Sequence, residues 1–413
     1  GVYVTAGTVA GNFTMNGGTI SNNYAGHDSF GTGGGVYILG NSTFTMNNGT
    51  ISDNIASRTD YGNGGGVRVG SSGSFTMKGG VITRNTASLA AGTGTGGGVN
   101  LVGKSTFTMS DTAEISYNTG SVNGGGNGGG VYVEDSTFTL KGTMAAIRNN
   151  AASKNGKGFG GGIYLTSSAK FYAQNTVQIT GNTARAGDGG GIFSEDHPYS
   201  TLSDTISAAK YSPIQEIGAN VVFSGNKAGA RYSPPKTVTG TPIRFPTILL
   251  NNDDVNYHGL SGPLPPISLT ITKTVKGGYG DKTMEFTFQV FMGRSDTAGE
   301  IHKLKDGQSF TLDDIASGTE IRILELDHGG YRVSFKDGLT PPADPAQDGD
   351  DTGWLTMTAP RSVTFFNLRD MAPETGIRLG DTGAALLLCL LPAGAALGFL
   401  AAGRIRRRRR GGA

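Results

Sequence analysis

The sequence predicts an all-β chain: a right-handed parallel β-helix of about seven coils, then an Ig-like β-sandwich, with a C-terminal transmembrane helix. Three observations carry that prediction. A unit of about 32 residues is written six times and then fades, and self-similarity at such a period fixes the architecture before any single motif does. Short strand-like segments at sandwich spacing follow from Ile267. The chain then closes on an apolar run and a cluster of arginines.

Each repeat opens on a glycine triplet, at 33–35, 64–66, 96–98, 128–130, 160–162 and 189–191. A short apolar segment follows, then an FTM-like segment with Phe13, Phe44, Phe75, Phe107, Phe138 and Phe171 in register. A TIS-like segment and an asparagine close the unit, the asparagines being Asn23, Asn54, Asn85, Asn118, Asn150, Asn182 and, less regularly, Asn226. Alternation places Val36 with Ile38 and Phe44 with Met46 on one face, and Tyr37 and Thr45 on the other. Ile51 supplies a third wall. Three short two-faced strands cannot bury their apolar sides alone, so the units must stack, each strand pairing in parallel with its equivalent one coil away. Seven coils at the strand spacing give a rod of about 34 Å. The asparagines are expected in a turn that uses their tolerance of left-handed backbone. A leucine-rich solenoid needs leucine in its consensus, and this repeat has almost none.

The chain of 413 residues is expected to hold a repeat domain at 1–262, a stiff proline-rich linker at 263–266, a sandwich at 267–370 and a C-terminal segment at 371–413. Thr247 to Leu250 and Val255 to Tyr257 are the segments expected to cover the open last coil, because exposed strand edges invite aggregation. The 70 glycines and 36% hydrophobic residues suit short strands and tight turns. Gly1 opens inside a repeat, so an N-terminal portion with any secretion signal is expected upstream. Cys389, the single cysteine, lies in the C-terminal apolar run, which fits an extracellular chain that does not rely on disulfides. The formal charge of +2 comes from the tail: after Thr375 there are seven arginines and one aspartate, which leaves −4 for the rest. Nucleic acid is therefore not an expected partner.

The glycine triplets precede strands and recur every coil, whereas a phosphate loop needs a strand, glycines and then a helix N-terminus. Their role is steric. The calcium-binding nonapeptide reading of 187–191 fails because aspartate does not recur. The five histidines are scattered without ligand spacing, so neither a metal site nor a cofactor is expected. Outward positions along one sheet are Tyr3, Tyr37, Arg68, Asn100, Tyr132, Tyr164 and Phe193. Tyr37, Tyr132, Tyr164 and Phe193 are the candidate contacts to a host or bacterial surface glycan or protein, against the alternative that the rings only stabilise one another along the sheet. A polysaccharide lyase or glycoside hydrolase on a β-helix scaffold is the alternative function. Its best acidic cluster is Glu134, Asp135, Glu195, Asp196 and Asp188, with Glu134 and Glu195 two coils and roughly 9.6 Å apart, at the edge of the separation inverting glycosidases use.

Strands are predicted at 268–275, 284–291, 309–312, 320–326, 331–336, 354–358 and 362–367. The segments Thr272-Lys273-Thr274-Val275, Glu285-Phe286-Thr287-Phe288, Gly307-Gln308-Ser309-Phe310-Thr311-Leu312, Ile323-Leu324-Glu325-Leu326 and Val363-Thr364-Phe365-Phe366-Asn367, in this order, resemble the collagen-adhesin B-type, or pilin isopeptide-linkage, domains of Gram-positive surface proteins. The resemblance implies an amide cross-link between Lys273 and Asn367, promoted by Glu325. Burial of such a set disfavours both charges, making Lys273 a neutral nucleophile and Glu325 a protonated donor to the Asn367 carbonyl. A reaction the chain performs once on itself does not make it an enzyme.

Ala372-Pro373-Glu374-Thr375-Gly376, the apolar run at 384–402 and the arginines at 404–410 follow in that order. The run, at about 1.5 Å per residue, matches the hydrocarbon thickness of a membrane. Together the three elements resemble the Leu-Pro-x-Thr-Gly cell-wall sorting signal, with Ala372 where leucine is usual. A second candidate, Leu379-Gly380-Asp381-Thr382-Gly383, keeps the leucine but lacks the proline. The resemblance implies cleavage by sortase between Thr375 and Gly376 and transfer to a peptidoglycan or pilin amine. The expected product is an adhesin or structural stalk, extracellular and anchored to the Gram-positive cell wall, from a membrane-inserted precursor.

Overall fold

The computed structural model describes residues 1–196, 205–240, 247–259, 262–264, 266–293, 299–316, 318–338 and 347–370. Three seven-stranded parallel sheets wall a solenoid. The first runs from Val2–Thr5 through Val36–Leu39 to Ile192–Ser194, the second from Asn12–Met15 through Thr43–Met46 to Ile214–Ile217, and the third from Thr19–Ser21 through Thr50–Ser52 to Val222–Ser224. Like lies on like. Phe13, Phe44, Phe75, Phe107, Phe138 and Phe171 are Cα partners from coil to coil. Their rings stack at 4.6–5.0 Å between centroids from Phe13 to Phe138, and the last, Phe171, is tilted on Phe138 at 5.3 Å. Val36, Ile38, Phe44, Met46 and Ile51 are completely buried, as the alternation of each segment requires.

Three strands per coil undercounts the central coils. Two five-stranded ladders lie after the asparagine corner, one from Tyr24–Gly26 to Ala151–Ser153 and one from Gly31–Thr32 to Gly158–Phe159. Segments such as Ala151-Ala152-Ser153 and Gly62-Asn63 have little intrinsic strand preference. They are strands because the copy in the neighbouring coil supplies the partner.

The asparagine corner also differs from expectation. The left-handed residue is the one before each asparagine, with φ of 59° at Asp53, 55° at Arg84 and 55° at Tyr117. The asparagines themselves form a buried column of hydrogen bonds. Asn118 Oδ1 accepts from the backbone N–H of Asn85 (2.9 Å) and from its Nδ2 (3.0 Å), while Asn118 Nδ2 donates to Ile82 O (2.9 Å) and Asn150 Oδ1 (3.0 Å). Asn54, Asn85, Asn150 and Asn182 repeat the pattern. Each carboxamide is thereby satisfied without water, which burial demands. The triplet glycines act sterically: a Cβ on Gly97 would sit 2.4 Å from the Thr119 carbonyl carbon and 2.5 Å from Gly129 O of the next coil.

The column stops on the cover of the last coil, where Asn226 Nδ2 donates to Asp254 Oδ1 at 3.0 Å. Gly191 N–H and Ile192 N–H donate to Asp253 O and Asp254 O, both at 2.7 Å, and Asn256 N–H donates back to Ile192 O at 3.1 Å. Leu250, Val255 and Tyr257 close the core below.

Residues from Ile267 onward form a β-sandwich. Its five-stranded sheet has the order Ser309–Ile315, Ile267–Lys276, Arg361–Leu368, Arg332–Asp337, Gln347–Asp348, and its four-stranded sheet the order Glu300–Leu304, Phe286–Met292, Glu320–Glu325, Leu355–Thr356. Seven strands were expected; Glu300–Leu304 and Gln347–Asp348 are additional short edge strands. First and last strands lie side by side in parallel, Val275 opposite Asn367. Among the described residues no helix is long and apolar enough to cross a membrane. The predicted span at 384–402, the Ala372 to Gly376 motif and the arginine tail lie outside the described residues.

Candidate functional site

Three polar residues occupy inward positions in otherwise apolar series. On Ile267–Lys276 the buried positions are Ile267, Leu269, Ile271, Lys273 and Val275. On Glu320–Glu325 they are Ile321, Ile323 and Glu325, and on Arg361–Leu368 they are Val363, Phe365 and Asn367. Strand alternation leaves the three no route to solvent, and their exposures are 0% for Lys273, 1% for Glu325 and 0% for Asn367. Neighbouring strands of one sheet carry Lys273 and Asn367, and the facing sheet carries Glu325.

The three side chains meet. Lys273 Nζ donates to Glu325 Oε1 at 2.9 Å and to Oε2 at 2.8 Å, and Asn367 Nδ2 donates to Glu325 Oε1 at 2.6 Å. Phe286 and Phe288 line the pocket, their ring centroids 4.2 and 5.5 Å from the ammonium nitrogen. Burial pushes the Lys273 amine down to about 8, with Glu325 acting against the shift. Removing an ion pair from water costs more than most pairs return, so this is an expensive way to hold a core together. In one respect the geometry departs from expectation. The amide turns its nitrogen toward the carboxylate, which accepts every hydrogen bond in the set, and Asn367 Oδ1 has no partner among the described residues. Rotating the amide by a half-turn exchanges the two ends and brings the carbonyl to Glu325. Amine, carboxylate and carboxamide thus share one dry pocket.

Sequence reasoning named all three residues but not the two phenylalanines beneath the ammonium. The alternation in Glu285-Phe286-Thr287-Phe288 was the signal, since it sends both rings inward.

The aromatic row is assembled in register, Tyr3, Tyr37, Arg68, Asn100, Tyr132, Tyr164 and Phe193 being successive Cα partners. It is less open than a binding platform requires. Tyr164 and Phe193 are each only 8% exposed, Tyr37 and Tyr132 are half-buried, and the rings stack on each other at 5.2 Å (Tyr132–Tyr164) and 4.9 Å (Tyr164–Phe193). Glu134 and Glu195 are each held by a tyrosine: Tyr132 Oη donates to Glu134 Oε2 and Tyr164 Oη to Glu195 Oε1, both at 3.3 Å. Ser167 N–H adds a third bond, to Glu195 Oε2 at 3.1 Å. Burial raises both phenols well above the usual tyrosine range, with the glutamates contributing. Asp188 lies apart from them, bonded to Asn252 Nδ2 (2.8 Å) and His258 (2.9 Å), and Asp196 contacts Ser212.

No protein-family model matches the chain. A pilus tip adhesin of Streptococcus pyogenes is 30% identical over 145 residues, 30% of this chain and 20% of that protein's length. Local structural similarity extends to the major pilin of Streptococcus pyogenes, at 18% identity, TM-score 0.19, over 29% of this chain and 58% of that one. A Mobiluncus mulieris adhesin containing disulfide, isopeptide and ester cross-links is similar at 20% identity, TM-score 0.21, over 26% and 44%.

Proposed function

We propose that the chain is a Gram-positive surface adhesin or pilus component: a repeat rod, a sandwich stalk hardened by an internal amide bond, and a sorting signal consumed during anchoring. The observation that carries this reading is the fully buried Lys273–Glu325–Asn367 set. The 30% identical streptococcal tip adhesin supports it.

Proton transfer from Lys273 to Glu325 leaves a neutral amine and a carboxylic acid with no change in net charge, which the apolar surroundings favour. The Lys273 nitrogen attacks Asn367 Cγ while the acid polarises Oδ1. The second amine proton passes to the departing nitrogen, the Cγ–Nδ2 bond breaks, and ammonia leaves. An Nζ–Cγ amide remains, and Glu325 keeps the one surplus proton. First and last strands of the same sheet are then joined covalently, so tension along the stalk meets a bond rather than a ladder of hydrogen bonds.

Sortase would cut after Thr375 and pass its carbonyl to a peptidoglycan or pilin amine. In producing cells, muramidase digestion should release the chain from the wall, and Thr375→Ala should shift it to the membrane fraction. Equal wall attachment of the Thr375→Ala protein would contradict this anchoring.

A further inference from the structure

The last coil, the linker and the stalk meet around a cavity of about 310 Å³, lined from the rod by Lys227, Arg231 and Asp253 and from the other side by Leu264, Ile267 and Ile315. Asp253 is only 4% exposed, and the structure gives its side chain one hydrogen bond, accepted by Oδ1 from Ala228 N–H at 3.0 Å. The cations beside it are engaged with the stalk: Lys227 pairs with Asp314, and Arg231 Nη1 donates to Thr358 O at 3.1 Å. Asp254, next in the chain, accepts from Asn226 Nδ2 (3.0 Å) and Asn251 Nδ2 (2.9 Å) and brings a second carboxyl to the cap. From the stalk the cavity receives one charged residue, Asp314, and from the described linker residues none. His258, bonded to Asp188 at 2.9 Å, is not among the residues around it. Burial pushes the Asp253 carboxyl up to about 7; Asp254 adds to the shift, while the Ala228 N–H and the charges of Arg231 and Lys227 oppose it.

Leu264 N–H donates to Arg231 O at 2.7 Å and lays the linker across the cap. The apolar side chains of Leu264, Ile267 and Ile315 keep water from Asp253 only while linker and stalk stay in that place. An ionised carboxylate needs hydration that this wall denies it, and a neutral carboxyl needs far less. We propose that the seat of the stalk on the rod is controlled by a proton on Asp253: protonated, it lets linker and stalk close over the cap, and ionised, it favours their release. The sign follows from linkage. The closed junction holds the proton more tightly than the open one, so closure is favoured in mild acid and the advantage is lost as the pH rises through about 7. Lys227–Asp314 and Arg231–Thr358 bind the two parts in either state and set how far release proceeds. The inference concerns the cap and the stalk alone and stands apart from the adhesin reading.

The test is hydrogen–deuterium exchange of the full-length chain from pH 5.5 to 8.5, read by mass spectrometry and corrected for the intrinsic exchange rate at each pH. Protection of the peptide holding Leu264 should fall at least tenfold across that range, while the peptide holding Phe107, in the middle of the rod, keeps its protection. Asp253→Asn retains the acceptor for Ala228 N–H and cannot ionise, so Leu264 should stay protected throughout. His258→Gln should respond as the native chain does. Lys227→Ala removes a positive charge from beside the carboxylate, and the midpoint of the change should move to higher pH. Equal corrected protection at both ends of the range in the native chain would overturn the proposal. So would a response that survives in Asp253→Asn, one that vanishes in His258→Gln, or a midpoint in Lys227→Ala that stays or moves down.

Discussion

Lys273 sits where the pattern of its strand calls for isoleucine or valine, and two consequences follow from that placement. Its folded-state pKa of about 8 lies below the unfolded 10.5, so the protonated form is the one the fold disfavours. Between those values the unfolded chain binds more protons, and stability rises with pH. In Asn367→Ala, where the amine cannot be consumed, denaturant unfolding should show stability climbing from about pH 8 to about pH 10.5 by a few kcal/mol. A flat profile would mean that the amine is solvated. Asn118 makes the corresponding argument in the rod. Asn118→Ala removes the acceptor of two bonds and the donor of two more inside a dry column, and should cost about 3 kcal/mol or more, read from the shift in unfolding midpoint. The sequence showed that these asparagines recur but not what they do. Positive φ falls on the residue before each asparagine: Asn22, Asp53, Asn149, Gly181 and Gly225 are types that tolerate it, whereas Arg84 and Tyr117 announce no such turn.

A single coil is the smallest element of the rod that has a meaning, and it has one only in the stack. Valine, phenylalanine, methionine and isoleucine at period two within a coil, repeated between coils, were enough to place the three walls and their inward residues. The two ladders after the asparagine were not legible, because Gly62-Asn63 or Thr119-Gly120-Ser121 becomes strand only through the equivalent segment of the neighbouring coil. The sandwich site was named through the resemblance of its strand segments to the isopeptide-linkage domains, and the structure shows its physical mark: Lys273, Glu325 and Asn367 take inward positions in otherwise apolar series. Close packing between coils leads to a further expectation. Gly97→Ala puts a methyl group against the backbone of two neighbouring segments and should destabilise the rod by about 3 kcal/mol, whereas Gly103→Ala, with 3.3 Å to its nearest atom, should cost less despite its positive φ. Comparing the two by thermal unfolding separates the steric cost from the conformational one.

At the scale of the whole molecule, rod and stalk are tied by contacts that no local motif announces. Lys227, at the last coil, pairs with the Asp314 carboxylate and donates to its carbonyl at 2.6 Å, and Arg231 Nη1 donates to Thr358 O at 3.1 Å. Lys227→Ala together with Arg231→Ala should broaden the distribution of rod–stalk angles in small-angle scattering. The proposed amide in the sandwich would be the more consequential tie. Such a bond from the first strand to the last would enclose nearly the whole sandwich, and by the chain-entropy estimate for a loop of roughly a hundred residues it would contribute about 4.7 kcal/mol. Glu325→Gln should forfeit that contribution along with the bond.

Intact-mass spectrometry of the purified chain, run beside Lys273→Ala and Asn367→Ala, is the most direct test. The account predicts that the native chain is lighter than its sequence by one ammonia, and that fragmentation finds Lys273 and Asn367 in one branched peptide, while both variants weigh what their sequences dictate. A folded native chain at its full sequence mass, with the two residues recovered in separate linear peptides, would contradict it.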